Sequence, residues 1–254
     1  MEVYFLGTGT SQGIPVIGCT DEVCLSTDSK DKRLRVSIWV VDKDFSVVID
    51  CGPDFRQQML NSKCDRVDGI LFTHEHADHT AGLDDIRPFY FNQGAISIYA
   101  QNRVLKNLEK RFDYIFTQDN KYPGAPSVLA FEVEPSKPFY VKNKTIIPIE
   151  VLHGKMPILG YRIDNFAYLT DVSFVEESQI EKLKGVKVLV INALRKEPHH
   201  SHFNLEEALE FVHLINPEKA YLSHISHHMG LHENVQKELP KNVILAFDNL
   251  TITV

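Results

Sequence analysis

The sequence predicts an α+β fold, two packed β-sheets flanked by helices, in a single domain spanning residues 1–254. Three observations predict it. Strands dominate the first third of the chain, and helical segments are interspersed in both halves with hairpin-like spacing rather than strict βαβ alternation. His, Asp and Glu also cluster at four places, each directly after an apolar strand, so strand ends should converge on one edge.

The elements follow in order. VYFLG at 3 to 7, LRVSIWVV at 34 to 41, FSVVID at 45 to 50 and GILFT at 69 to 73 are β-branched and aromatic runs of strand length. PDFRQQMLNS at 53 to 62 reads as a helix with Pro in its first turn. QNRVLKNLEKR at 101 to 111 reads as another, with apolar spacing at Val104, Leu105 and Leu108. Residues 128 to 169 give short strands separated by Pro, Lys and Asn turns, SFVEESQIEKLK reads as a helix, and VKVLVIN as a buried strand. NLEEALEFVHLI at 204 to 215 opens with Asn204 and Glu207 in capping-box spacing. AYLS and a final pair, NVILAFD and LTITV, complete the strands. There is no low-complexity segment, linker or short-period repeat.

Composition limits the function. The chain has 254 residues, 43% hydrophobic and 24% charged, enough for a sizeable core. Its net charge is -7 and Lys and Arg form no long runs, which disfavours non-specific nucleic-acid binding. MEVYFLGTGT lacks the basic and apolar regions of a signal peptide, and no stretch approaches the roughly 18 apolar residues of a membrane span. The expectation is a cytoplasmic protein without a membrane partner. Four cysteines do not make a disulfide framework in a chain this long, while Cys19 and Cys24 are close enough to suggest metal ligation.

FTHEHADHTAGL at 72 to 83 concentrates the chemistry. His74 and His76 are two apart and point the same way in an extended segment; Asp78 and His79 follow where the chain should turn into a helix. His153, Asp171 and His224 sit at three further strand ends. Imidazole and carboxylate together suit zinc, manganese or iron. Seven candidates exceed one tetrahedral ion. Two ions accommodate them: His74, His76 and His153 on the first, Asp78, His79 and His224 on the second, Asp171 bridging. Such ions about 3.5 to 4 Å apart hold a hydroxide and clamp a phosphoryl or carbonyl oxygen. The bland alternative is a polar loop with unrelated histidines, or one structural ion; it would win for a single histidine and loses for the whole set.

THEHADH at 73 to 79 resembles the H-x-H-x-D-H signature of the metallo-β-lactamase superfamily, and His153, Asp171 and His224 match its later ligands in order. Asp50, followed by Gly52, resembles the Asp that supports the metal loop there. The resemblance covers nearly the whole chain and implies a four-layer αββα sandwich with metals at one edge of the sheets. It leaves the substrate open among lactamases, thioesterases, nucleases and oxidoreductases.

GTGTSQGIPVIGCTDEVC at 7 to 24 is similar to the opening of the phosphodiesterases that act on phosphoribosyl 1,2-cyclic phosphate in the carbon-phosphorus lyase pathway, and more loosely to that of tRNA 3′-processing endonucleases. The phosphodiesterase resemblance implies a third, structural zinc on Cys19, Cys24 and His227. Asp21 stands where that family has a third cysteine, and a carboxylate can also ligate zinc. It further implies that His202, in PHHSHFNLEEAL, protonates the leaving alkoxide; Asp78 joins it as a candidate of the catalytic centre. His199 and His200 read as exposed loop residues and His213 as a packing residue. Lys155, Arg195 and Lys196 are candidates for a second phosphate, with solvated charge as the equal alternative. No segment resembles the Gly-, Pro- and basic-rich arm of the tRNA enzymes.

The expectation is a dinuclear phosphodiesterase, using zinc or manganese, in which metal-bridging hydroxide attacks a small, cyclic or strained phosphodiester. A tRNA 3′-processing-type endonuclease and a lactamase- or thioesterase-like hydrolase are the alternatives. A homodimer stays open as the assembly.

Overall fold

The structure, a computed structural model, describes residues 1–117 and 121–254. Fourteen strands among these residues form two seven-stranded sheets. The first contains β1 (Glu2–Gly7), β2 (Ser37–Asp42), β3 (Phe45–Ile49), β4 (Gly69–Leu71), β5 (Ile96–Ala100) and β6 (Val128–Glu132). The second contains β7 (Phe139–Val141), β8 (Lys144–His153), β9 (Met156–Ile163), β10 (Phe166–Tyr168), β11 (Val188–Asn192), β12 (Lys219–Ser223) and β13 (Val243–Leu245). β14 (Thr251–Thr253) returns to pair with β1 in the first sheet.

Alternation along the strands builds three apolar layers. In β3, Val47 and Ile49 face the second sheet while Val48 faces outward, and in β11 Val188 and Val190 face inward while Leu189 and Ile191 face outward. Between the sheets lie Phe5, Ile38, Phe45, Tyr161, Phe166 and Tyr168. The outer face of the first sheet is covered chiefly by α2 (Phe55–Ser62), α4 (Arg87–Gln93), α5 (Asn102–Arg111) and α6 (Asp113–Phe116), which contribute Phe55, Phe89, Leu108 and Ile115. α1 (Glu22–Leu25) and α3 (Ala77–Thr80) are single turns in the cysteine and histidine loops. α8 (Leu205–Ile215) and α9 (His232–Glu238) cover the second sheet through Phe211, Val212 and Val235, with α7 (Glu177–Ile180) at its side. This is the four-layer αββα sandwich.

Strand direction places the site. β3 to β6 run parallel, as do β10 to β13, and β8 points the same way as β10 because both are antiparallel to β9. The carboxyl ends of β3, β4, β8, β10 and β12 therefore open on one edge. In open α/β sheets that edge is where ligands bind. Asp50, Asp171 and His224, just beyond three of these ends, all have left-handed backbone, with φ of 65°, 59° and 54°. Such strain in non-glycine residues concentrates at functional sites.

Several expectations are corrected. The segment 173 to 184 is not one helix: Ser173 and Phe174 bond the end of β8 through Leu152, which leaves only α7 and a 3₁₀ turn, Glu181–Leu183. Long-range pairing outcompetes local helix propensity there. The strands of 128 to 169 are not all short, since β8 has 10 residues and β9 has 8. NVILAFD and LTITV do not pair with each other; β13 adds to β12 in one sheet and β14 to β1 in the other. α2 starts at Phe55, so Pro53 lies outside it, and the Asp54 carboxylate accepts from Arg35 and makes no cap bond to the helix. His213 is exposed, on the face of α8 opposite Ala208 and Val212, and is not a packing residue. The capping box of α8 forms in both directions, Asn204 Oδ1 accepting from Glu207 N and Glu207 Oε2 from Asn204 N, both at 2.8 Å. Among the described residues, no helix is long and apolar enough to cross a membrane.

Candidate metal centre

The HEHADH run leaves β4 as an extended segment and closes into α3, whose single turn carries Asp78 and His79. A close backbone approach holds it. Cys51 N donates to His79 O at 2.8 Å, and a Cβ on Gly52 would lie 2.0 Å from Asp78 O, so only glycine fits.

The structure brings the seven strand-end candidates together. Donor atoms of His74, His76 and His153 lie within 4.8 Å of one another, as do those of Asp78, His79 and His224. Asp171 joins the two trios: its carboxylate oxygens lie 3.2 Å from His79 Nε2 and 3.2 Å from His224 Nε2, and it groups with His74 as well. His74, His79, Asp171 and His224 are buried, whereas His76 is exposed and His153 half-buried, so the cluster opens to solvent on the three-histidine side.

Hydrogen bonds aim the imidazoles. His79 Nδ1 donates to Asp50 at 2.6 Å, which leaves Nε2 as the free lone pair. Asp50 also accepts from Thr73 N and the Thr73 hydroxyl, and that hydroxyl lies 3.0 Å from His74 Nδ1. His153 Nδ1 donates to Ser201 O at 2.8 Å. Thr73 and Ser201 escape sequence reasoning. A carbonyl leaves no side-chain signature, and only the position of Thr73 beside His74 pointed to it.

The electrostatics are those of a cation site. Burial alone would lower the His79 pKa, but Asp171, Asp50 and Asp78 outweigh it and raise it well above the usual imidazole range. Asp171 is opposed by its own burial, yet His224 and His79 hold it well below the usual carboxylate range. A proton among three carboxylates stands where a metal charge would sit. His79 Nε2, both ring nitrogens of His224 and His202 Nδ1 are buried without a hydrogen bond of acceptable geometry. Each such orphan costs about 1–3 kcal/mol. Ligation would remove that cost at His79 Nε2 and at one nitrogen of His224, so the residues fit divalent ions.

His202 lies beside the cluster, with Nδ1 3.6 Å from Asp171 Oδ1 and its ring centroid 4.6 Å from that of His153. Phe203 N donating to Val172 O at 2.6 Å and the cap of α8 fix its loop. Burial, opposed by Asp171 and aided by its histidine neighbours, lowers its pKa to about 3 in the bare cluster. His199 is half-buried, its ring tilted against that of His202 with centroids 5.1 Å apart, and His200 is exposed. Of the candidate phosphate cations, Lys196 pairs with Glu238 at 2.6 Å and Arg195 folds onto the carbonyls of Glu197 and Pro198. Lys155 is exposed and, among the described residues, has no partner.

A second group forms in the N-terminal loop. Donors of Cys19, Asp21 and His227 lie within 4.8 Å, a group that does not include Cys24, and the neighbouring Cys24 thiol raises the Cys19 pKa. Asp21 N and Val16 N donate to the sulfurs of Cys19 and Cys24 at 3.4 and 3.5 Å. Cys51 and Cys64 are buried and, among the described residues, join no such group.

Comparison with known proteins agrees with this geometry. The description of a beta-lactamase superfamily domain matches residues 46–225. A solved diphosphatase of the PhnP family is 36% identical, with a TM-score of 0.92 over 99% of this chain and 96% of that one. An octanoyltransferase of Porphyromonas gingivalis is 40% identical over 252 residues, 98% of this chain but 51% of that protein. A ribonuclease Z of Bacillus licheniformis is 29% identical over 168 residues, 64% of this chain and 48% of that protein. The chain spans about half the length of these two curated relatives. With the sandwich, the edge cluster and the domain match agreeing, the chain belongs to the metallo-β-lactamase superfamily, in the branch of PhnP-like proteins.

Proposed function

We propose that the protein is a dinuclear metal-dependent phosphodiesterase acting on a small, cyclic or otherwise strained phosphodiester. The observation that carries the reading is the pair of donor trios joined by Asp171, with the buried His202 against the shared carboxylate. His74, His76 and His153 would hold one ion, Asp78, His79 and His224 the other, and Asp171 both. When bound, two such ions supply an acidified water and positive charge against phosphoryl oxygens.

The chain's own residues do the rest. Asp50, Thr73 and Ser201 would hold His79, His74 and His153 in the ligating tautomer. An alkoxide leaves poorly without a proton, and His202 is the buried imidazole placed to deliver one. Burial disfavours that proton in the bare cluster, and a phosphate anion beside the ring acts in the opposite direction. Lys155, exposed and without a partner among the described residues, is a candidate cation for a second phosphate group.

The names diphosphatase and ribonuclease Z among the relatives support phosphorus chemistry over lactam or thioester hydrolysis. The octanoyltransferase name belongs to a protein about twice as long. The ribonuclease Z likeness also favours a second reading, a tRNA 3′-processing-type endonuclease. A net charge of -7 weighs against it.

Metal-replete protein assayed on cyclic and linear phosphodiesters, a tRNA precursor, lactams and thioesters tests the reading. The expected result is turnover of the small phosphodiesters. Turnover confined to lactams or thioesters would overturn the class, and turnover confined to the tRNA precursor would select the second reading.

A further inference from the structure

We propose that Arg103, outside both donor trios, is a positioning residue that sets the spacing of His74, His76 and His153; this rests on the dinuclear reading above. Arg103 lies in the first turn of α5, on a stripe with Asn107 and Arg111 that faces the histidine loop while Val104 and Leu108 face the core. Its Nη1 donates to both carboxylate oxygens of Glu75, at 2.5 and 2.6 Å. Glu75 is the residue between His74 and His76. The other terminal nitrogen, Nη2, donates to the backbone carbonyl of Pro157 and to Gln101 Oε1. Pro157 faces Leu152 across the β8–β9 hairpin, one position from the pairing of His153 with Met156.

One planar guanidinium thus joins two segments from different sheets. The loop after β4 brings two histidines of the trio, and the hairpin of β8 and β9 brings the third. Deeper in the fold the same segments are tied by Leu159 N donating to Thr73 O and by the Tyr161 hydroxyl donating to Phe72 O. Beyond Thr73, toward the histidines, Arg103 is the side chain among the described residues that ties them. Arg111 closes the loop on itself instead, donating to the Thr80 hydroxyl at 2.7 Å.

The other trio is secured differently. His79 is fixed by Asp50 and by Cys51 N, and His224 by the strained turn after β12. Removing Arg103 should therefore loosen one ion and spare the other. As an ion pair it should matter little to folding: the side chains of Arg103 and Glu75 are 33% and 23% exposed, and such pairs contribute about 0–1 kcal/mol. A lysine would keep the charge opposite Glu75 but lacks the second arm that reaches Pro157.

Zinc titration of the full chain against a competing chelator tests this, with wild type, Arg103→Ala, Arg103→Lys and Glu75→Gln compared and a Cys24→Ser control marking the cysteine-loop ion. Arg103→Ala should weaken one of the two cluster ions by about 10- to 100-fold, leave the second unchanged, and melt in the metal-free state close to wild type. Arg103→Lys should recover part of the loss, and Glu75→Gln should resemble Arg103→Ala. A wild type that takes up two cluster ions while Arg103→Ala takes up both with the same affinities would overturn the Arg103 assignment alone, as would equal weakening of both. A wild type that takes up only one ion there would overturn the dinuclear reading itself.

Discussion

The strand-end cluster and the cysteine loop both gather donor atoms within 4.8 Å, yet their supports differ in kind. Cluster residues sit at the ends of hydrogen-bonded strands, mostly buried, and the second ring nitrogens of His79, His74 and His153 are engaged by Asp50, Thr73 and Ser201. Cys19, Asp21 and Cys24 sit on a loop whose one helical turn spans Glu22–Leu25, and Asp21 is exposed. Rigid, hydrogen-bonded supports hold reacting geometry; a loop closed on an ion serves to pin a segment. The loop borders the cluster through Thr10 N, which donates to Ile225 O next to His224. The proposed third ion would therefore fasten the wall of the site, while the proposed pair would do the chemistry.

Asp171→Ala should break the cluster most completely, because its carboxylate faces both trios. Expected are loss of both cluster ions and near-complete loss of activity, with the loop ion retained, read by elemental analysis beside turnover. Full activity at limiting metal would remove Asp171 from the centre.

His202→Ala separates chemistry from ligation within the same region. It should lose about 10²- to 10⁴-fold on an alkyl phosphodiester, far less on bis-nitrophenyl phosphate, and keep its metals. Equal losses on both substrates would make His202 a binding residue, with His199 next in line as the proton donor.

Cys24→Ser sharpens the contrast from the other side. It should remove the loop ion and lower the melting temperature while the cluster ions remain. A metal content that does not change would mean that the loop is pinned by its hydrogen bonds alone.

The smallest effect concerns the buried network under the loop. Arg33 donates to the Thr8 hydroxyl and lies 3.3 Å from His232 Nδ1, while Asp31 accepts from His232 N and the Ser26 hydroxyl. Burial and Arg33 lower the His232 pKa to about 4, so the unfolded chain takes up a proton first and this residue costs stability as pH falls from about 6.5 to 4. Burial raises Asp248 to about 6, so the folded chain takes up a proton first and this residue adds stability as pH falls from about 6 to 4. The two oppose each other. Denaturant titrations of wild type should show little slope from this network between pH 4 and 6. Asp248→Asn should unmask a fall in stability toward acid, of up to ~1.4 kcal/mol per pH unit. An unmasked rise would reverse the assignment.

These supports also mark how far the sequence could be read. Cluster residues were legible because strand ends and crowded histidines are local signals, and the sandwich because strands dominate the first third with helices interspersed in both halves and because THEHADH resembles a family signature. The contacts that aim them were not. Ser201 acts through its carbonyl, and Arg103 meets Glu75 from a helix 28 residues away. The helix expected over 173 to 184 failed because Phe174 found β8, a partner that no local pattern announces.

Anomalous diffraction from crystals of metal-replete protein would count the ions at the strand-end edge directly. Two peaks are expected at the strand-end edge, about 3.5 to 4 Å apart, one against His74, His76 and His153 and one against Asp78, His79 and His224, with Asp171 between them. A single peak at that edge, at full metal loading, would contradict the dinuclear reading.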